Sequence, residues 1–413
     1  MHSLRQLQSG ELVGVKRLSL RENLTRFPLE ILSLADSLEV LDLSGNQLSE
    51  LPSQLIELKK LKIIFASNNL FEHLPEVLGS CAELEMVGFK SNKIKQVAAN
   101  SLPAKLRWLI LTDNLIESLP VSIGERPRLQ KLALAGNRIT QLPLSMAQCT
   151  NLELIRISAN QLTECPEHIL NLPKLSWLAF AGNPFSRSTQ EHSTVPQVAS
   201  ASFTLQEILG QGASGLIYRA EWLDKQHTMP TAIAVKVFKG EVTSDGYPQD
   251  ELQACLRAGA HPNLVQALAQ VEEDSYLALI MQLIPAHFRN LGLPPSLQSC
   301  TRDVFPEDFR LSIQQIAKIV RQMVAVFEHL HARQICHGDL YAHNTLYDDE
   351  ANIIFGDFGA ASTYHMLNET QQTKIKHIEQ RALRCFIDDL LNVCTEQQRD
   401  SAEYQRLRSL YRS

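Results

Sequence analysis

The sequence predicts two unlike parts: an α/β solenoid built from a short repeat, then a domain of mixed strand and helix. Three observations carry that division. Asn23, Asn46, Asn69, Asn92, Asn114, Asn137, Asn160 and Asn183 recur at intervals of 23 residues, with a single interval of 22. Beyond residue 203 the period stops, and Gly210, Gly212 and Gly215 open a run of strand-like residues with no helical spacing between them. Further on, His337-Gly338-Asp339, Asn344 and Asp357-Phe358-Gly359 follow in an order that no repeat generates.

In each repeat the asparagine follows one apolar residue by five positions and a second by three, as in Leu18/Leu20, Leu41/Leu43 and Leu132/Leu134. Such alternation reads as a short strand with one buried face. The third repeat departs from it, with Ala66 at the second apolar position. Pro28, Pro52, Pro75, Pro120, Pro143 and Pro166 mark where each turn leaves the strand side. An asparagine buried at each bend both donates and accepts, satisfying loop backbone that would otherwise be unpaired. These side chains are therefore expected to be structural. Stacked repeats make a solenoid whose strands line a concave face. Ile63, Phe65, Met86, Trp108 and Trp177 alternate with the buried row and are expected on that face. Large apolar side chains facing solvent mark an interface, which makes Ile63, Phe65 and Trp108 the candidate contact for a protein partner. Trp177, in the last repeat, either joins that surface or packs against the domain that follows.

Gly210-x-Gly212-x-x-Gly215 is a weak signal alone, because the same spacing opens dinucleotide-binding βαβ units. A dinucleotide turn leads into a helix. This one leads into Leu216-Ile217-Tyr218-Arg219-Ala220 and then Ala232-Ile233-Ala234-Val235-Lys236-Val237, which reads as a glycine-rich hairpin and a third strand. Glu251 lies 15 residues after Lys236, beside an apolar stripe at Leu252, Cys255 and Leu256. That stripe makes a helix with Glu251 on its edge, the expected carboxylate partner of Lys236. The alternative is that Asp250 and Glu251 only favour the helix N-terminus through its dipole.

Phosphoryl transfer from ATP needs a flexible cover over the phosphates, a lysine fixed by a carboxylate, a base beside the acceptor and oxygen ligands for magnesium. Gly210 to Gly215, Lys236, Glu251, Asp339, Asn344 and Asp357 supply residues of those types in that order. On these motifs, residues 203–394 resemble a protein kinase domain, and residues 14–185 resemble a leucine-rich-repeat array of about eight repeats. The resemblance implies a two-lobed α+β fold after the solenoid, with ATP and Mg2+ as its ligands. It implies Asp339 as the catalytic base, Lys236 and Glu251 as the pair that orients the phosphates, and Asn344 and Asp357 as magnesium ligands. Gly210, Gly212 and Gly215 would cover the nucleotide, with Met281 as gatekeeper and Leu283 in the hinge behind adenine. The chain is similar to soluble repeat-plus-kinase proteins of bacteria, which implies a serine/threonine protein kinase with the repeats as its recognition module.

Three departures qualify the likeness. An arginine usually sits where Gly338 is, and in many kinases it receives the activation-loop phosphate; its absence argues against that switch. No lysine or arginine stands among Tyr341, Ala342 and His343 to face the transferred phosphate. His343 either supplies a pH-dependent charge there or is a structural loop histidine. Only 19 residues, 360–378, separate Asp357-Phe358-Gly359 from a helix with apolar residues at Ile378, Ala382, Leu383, Phe386, Ile387, Leu390 and Leu391, and they contain no Ala-Pro-Glu. That helix resembles the central helix of the kinase C-lobe, so the C-lobe is expected to be truncated. Small-molecule phosphotransferases also carry His-Gly-Asp, so that reading stays open, as does a nucleotide-binding scaffold or pseudokinase acting through the repeats.

Length fits two or three domains: the repeats, a polar linker over 186–202, and the kinase-like domain over 203–413. A net charge of −6 with both signs mixed favours neither nucleic acid nor an anionic membrane. Receptor kinases with extracellular repeats place a span of about 20 apolar residues between their halves; the joint here is polar, and the N-terminus has no continuous apolar core. The eight cysteines show no Cys-x-x-Cys spacing. A cytoplasmic location is expected.

Overall fold

The computed structural model describes residues 2–187, 195–212, 214–224, 229–240, 242–243, 245–274 and 276–410. Contacts divide the chain into two units: Met1–Leu175 with Asn183–Phe185, and Ser176–Gly182 with Ser186–Ser413. The strand of the eighth repeat, inside the expected repeat domain, thus groups with the second unit.

The first unit opens with α1 (Leu4–Gln8), capped reciprocally by Ser3 and Gln6. Seven strands follow: β1 (Arg17–Ser19), β2 (Val40–Asp42), β3 (Ile63–Phe65), β4 (Met86–Gly88), β5 (Trp108–Ile110), β6 (Lys131–Ala133) and β7 (Leu154–Arg156). Each pairs in parallel with the next, in register across the array: Arg17 beside Val40, Val40 beside Ile63, Ile63 beside Met86. The middle residue of every strand, from Leu18 and Leu41 to Leu132 and Ile155, is fully buried, as the alternation requires. Pro28, Pro52, Pro75, Pro120 and Pro143 each immediately precede a short 3-10 helix, and Pro166 precedes α2 (Glu167–Leu170). Proline presets the backbone angle of the turn that leaves the strand side. The fourth repeat, whose Asn92 opens the 22-residue interval, has Ala98 in that place, and its 3-10 segment shrinks to Ala99–Ser101.

The asparagines form the expected ladder. Asn46 Oδ1 accepts the amides of Glu22 and Leu24, while its Nδ2 donates to the carbonyls of Leu20 and Leu43. Asn69, Asn114, Asn137 and Asn160 repeat this arrangement. Asn23 does not: it is exposed at φ +56°, with no earlier turn among the described residues to receive it.

The concave row differs from expectation. Ile63 is only 9% exposed and Trp108 only 6%, and Phe65 is half-buried. Strands lie about 4.8 Å apart, so large side chains on one face cover one another. The Phe65 ring lies over Gly88, where a Cβ would come within 2.5 Å of it, and Lys131 Nζ sits 5.0 Å from the centre of the Trp108 ring.

In the second unit, β8 (Trp177–Ala179) is followed by β9 (Phe203–Gln211), β10 (Gly215–Trp222), β11 (Ala232–Phe238), α3 (Pro248–Ala258), β12 (Ala267–Glu273) and β13 (Tyr276–Gln282). Strands β9 to β13 form one antiparallel sheet in the order β12-β13-β11-β10-β9. Of the linker expected at 186–202, residues 188–194 lie outside the described residues. Pro196 to Val198 pair with Gln270, and Val198 joins Phe203, Trp222, Ile233, Val235 and Ile280 in the sheet's core.

The rest comprises β14 (Arg289–Asn290), α4 (Ile313–Ala332), β15 (Ile335–Cys336), β16 (Thr345–Tyr347), β17 (Ile353–Phe355), β18 (Ser362–Thr363), α5 (Glu369–Asn392) and α6 (Ala402–Leu410). Ser312 and Asn368 close capping boxes at the starts of α4 and α5, which fixes where these two buried helices begin. Two small sheets, β14-β16-β17 and β15-β18, hold the polar loops between them. After α5 the described chain adds only α6 as an α-helix. No helix among the described residues is long and apolar enough to cross a membrane.

Candidate active site

Strands β9 and β10 form the glycine hairpin, with Gly212 N–H donating to Gly215 O across its tip at 3.0 Å. Gly215 is needed on packing grounds, since a Cβ there would meet Val237 O at 2.3 Å; Gly210 and Gly212 face open space. On the neighbouring strand β11, Lys236 donates from Nζ to Glu251 Oε1 in the first turn of α3. Both residues are buried. The helix dipole and the ion pair therefore act together at Glu251 rather than as alternatives. Burial alone would push the Lys236 ammonium down, yet the Glu251 and Asp357 charges hold its pKa above the ordinary lysine value. Burial pushes the Glu251 carboxyl up, with Asp357 adding to this and Lys236 opposing it. Asp250, one residue earlier, is half-buried with a buried, unbonded Oδ2, and this desolvation pushes its carboxyl up to about 6.

Below the sheet, the turn after β15 carries His337, Gly338 and Asp339. Asn344 Nδ2 donates to Asp339 Oδ2 at 2.8 Å and to Asp339 O at 3.0 Å, which joins the two residues the sequence placed together. With Nδ2 so committed, the amide oxygen of Asn344 is turned away from Asp339. Asp357 follows β17 in the left-handed region at φ +60°, a strained setting for a side chain other than glycine, and its exposed carboxylate accepts the Gly359 amide. Met281 is buried on β13 opposite Ala234, and Leu283 follows at the strand's end, half-buried. Burial holds the His343 imidazole below its usual pKa, with Asp357 opposing. Burial thus disfavours the charged imidazole at this position. Among the described residues no group of three or more His, Cys, Asp and Glu side chains is arranged to hold a metal by itself.

Several site residues carry no local sequence signal. Glu379, buried on α5, accepts the amides of His337 at 2.7 Å and Gly338 at 3.1 Å, and bonds His331 Nε2 at 2.9 Å. His337 in turn bonds Gly356 O at 3.1 Å, linking the Asp339 loop to the Asp357 turn. Asp303 Oδ1 accepts the Ala342 amide at 2.7 Å, and its own N–H donates to Asp389, which Arg302 grips with Nε and Nη2. Trp177 is the clearest addition. It lies against this loop, so of the two expectations for it, packing against the following domain is the one found: Nε1 donates to Leu340 O at 3.0 Å and the ring stacks on Tyr341 at 5.3 Å.

Comparison with known proteins agrees with the geometry. Residues 203–378 match the protein kinase domain, and residues 104–162, 127–185 and 37–58 match leucine-rich repeats. The matched stretches are thus leucine-rich repeats followed by a protein kinase domain. Its relatives include the serine/threonine-protein kinase shk2 of Schizosaccharomyces pombe, 33% identical over 38% of this chain and 25% of that protein. The mitogen-activated protein kinase kinase kinase ANP1 of Arabidopsis thaliana is 27% identical over 41% of this chain and 24% of its own length. The chain thus spans about a quarter of the length of these two curated relatives. Among solved structures, the leucine-rich-repeat protein LIC12759 of Leptospira interrogans is 29% identical over 43% of this chain and 45% of that one, with a TM-score of 0.40.

Proposed function

We propose that this chain is an ATP-dependent serine/threonine protein kinase whose repeats recognise a protein partner. The observation that carries the reading is the buried Lys236–Glu251 pair facing Asp357. Two carboxylates converge on one ammonium there, so the site holds an excess of negative charge that a divalent cation offsets. Magnesium is commonly held by one or two carboxylates together with the substrate's phosphates, and Asp357 with the free amide oxygen of Asn344 fits that demand. When bound, the metal neutralises charge on the transferred phosphoryl group. Lys236 would hold the phosphates, fixed in place by Glu251. The amides of Gly210, Gly212 and Gly215 would cover them, with Met281 and Leu283 flanking the base. Asp339 would accept the proton of the acceptor hydroxyl, oriented by its bond from Asn344.

The short stretch between β18 and α5, residues 364–368, favours a second reading, a small-molecule acceptor that needs no peptide shelf. Against it stand the repeats, a protein-binding architecture. A partner on the concave face would meet Phe65, the member of the Ile63, Phe65 and Trp108 row that keeps accessible surface. Free cysteines suit a reducing compartment, here the cytoplasm. Incubating the purified chain with γ-labelled ATP, Mg2+, generic protein substrates and a panel of small hydroxyl acceptors separates the readings. Label on serine or threonine of a protein is expected; label only in small molecules would support the second reading, and none in either would leave a scaffold.

A further inference from the structure

The main chain around Asp339 is pinned from two sides. On one side Glu379 of α5 holds the amides of His337 and Gly338. On the other stands the strand of the eighth repeat, β8. Trp177 donates its indole N–H to Leu340 O at 3.0 Å, and its ring lies parallel to that of Tyr341, 3° from coplanar. Cys336 Sγ approaches Leu178 O at 3.6 Å. The amides of Phe180 and Ala181 both donate to Ser362 Oγ, at 2.9 and 3.0 Å, and thereby fix the segment after Asp357-Phe358-Gly359. Trp177, Tyr341 and Ser362 are all buried.

Gly338 explains itself in the same frame. Its φ is +70°, and a Cβ would stand 2.6 Å from Leu178 O and 2.9 Å from Ala360 O. The backbone of the last repeat therefore occupies the space a side chain at 338 would need. An arginine there is excluded by the neighbour, and the contacts to Ser362 do the anchoring that a phosphate on an arginine would otherwise do.

Accepting the kinase reading above, we infer that Trp177 is a positioning residue for Asp339, so that the last leucine-rich repeat completes the catalytic domain. The indole acts through the Leu340 carbonyl and the Tyr341 ring. It touches no reacting atom. Displacing a catalytic group by about 1 Å costs on the order of 100-fold in rate, while the nucleotide side, built on β11 and α3, does not depend on this contact. Loss of Trp177 should therefore lower kcat and spare KM for ATP.

The test uses the full chain. Trp177→Phe keeps an aromatic ring and removes the donor, Trp177→Ala removes both, and Phe71→Leu serves as a control change to a fully buried aromatic in the repeats. Two quantities are read: amide exchange in peptides spanning 338–344, and kcat with KM for ATP on a generic protein substrate. Exchange should quicken in the order wild type, Trp177→Phe, Trp177→Ala, with kcat falling about tenfold or more and KM within about threefold. Phe71→Leu should leave both readings near wild type. Wild-type exchange at 338–344 in Trp177→Ala overturns the proposal, as does an equal response to Phe71→Leu at equal melting temperature. If Trp177→Ala fails to fold, Trp177→Phe decides by the same criteria. If the wild-type chain transfers no phosphate, the kinase reading fails, and the exchange measurement still decides whether Trp177 holds the loop.

Discussion

Asp339 and Asp357 sit in different settings, so replacing each should give a different kinetic result. Asp339→Asn keeps the bond from Asn344 and removes the proposed base; turnover should fall about 100- to 10,000-fold with ATP affinity nearly intact. Asp357→Asn removes the proposed metal ligand and should weaken Mg-ATP binding as well as turnover. Titration calorimetry with single-turnover kinetics checks both, and identical profiles for the two variants would count against the assignment. Asp303 offers a pH test. Burial, with the Asp389 and Asp339 charges, pushes its carboxyl up to about 7 against the pull of the Ala342 amide and Arg302. An acid whose folded pKa lies above its unfolded value of 3.8 holds its proton more tightly in the folded chain. Its contribution to stability is thus full below about 4 and fades as pH rises through 7. Asp303→Asn still accepts from Ala342 and does not titrate, so from pH 5.5 to 7.5 it should gain stability over wild type by on the order of 1 to 2 kcal/mol. Parallel denaturation midpoints at the two pH values would rule this out. Lys236, Glu251, Asp339, Asn344 and Asp357 were readable in the sequence because each sits at a fixed offset from a glycine, a strand or a helix stripe. Glu379 and Asp303 were not, because an acid that caps a distant loop leaves no spacing of its own.

At the scale of elements, the asparagine ladder was the most legible feature, since one turn per period forces the same side chain to meet the same backbone groups. Asn137 shows the cost of breaking it: Oδ1 accepts Ile116 N at 3.0 Å, and Nδ2 donates to Leu111 O and Leu134 O, both at 2.9 Å. Asn137→Ala should cost roughly 1 to 3 kcal/mol, because the buried Ile116 amide loses its acceptor, while the Leu111 and Leu134 carbonyls keep the bonds from Asn114 and Asn160. Asn23→Gly, at the exposed first position where the backbone is left-handed, should cost no more than about 0.5 kcal/mol. Equal losses measured by urea unfolding would contradict the ladder. The concave row was misread for a physical reason: period two tells which side of a strand a residue faces, and says nothing about whether neighbouring strands cover it. With Ile63 and Trp108 buried, replacing Ile63, Phe65 and Trp108 together by Ser should lower the melting temperature by several degrees, as about 1 kcal/mol or more is lost per site. An unchanged melting temperature would restore them as a free surface.

For the molecule as a whole, composition marked a polar stretch at 186–202, and a cut at 203 is the natural way to isolate the kinase part. Contacts draw the line elsewhere, because Ser176–Gly182 groups with the second unit and carries the partners of Leu340, Tyr341 and Ser362. Nothing in the local sequence announces this, since Trp177 and Leu340 are 163 residues apart. A fragment of residues 203–413 leaves the Leu340 carbonyl and the Ser362 hydroxyl without these donors and uncovers Tyr341. It also lacks Val198, part of the sheet's core. The fragment should therefore be less stable than the intact chain and slower on a generic peptide that the repeats have no part in capturing. A fragment beginning at 174 regains Trp177, Phe180, Ala181 and Val198, and should recover part of both. The generic peptide matters because a domain that only delivers cargo would change rates on captured protein and leave that peptide's turnover untouched. Equal turnover of the peptide by 203–413 and the intact chain would confine the repeats to recognition.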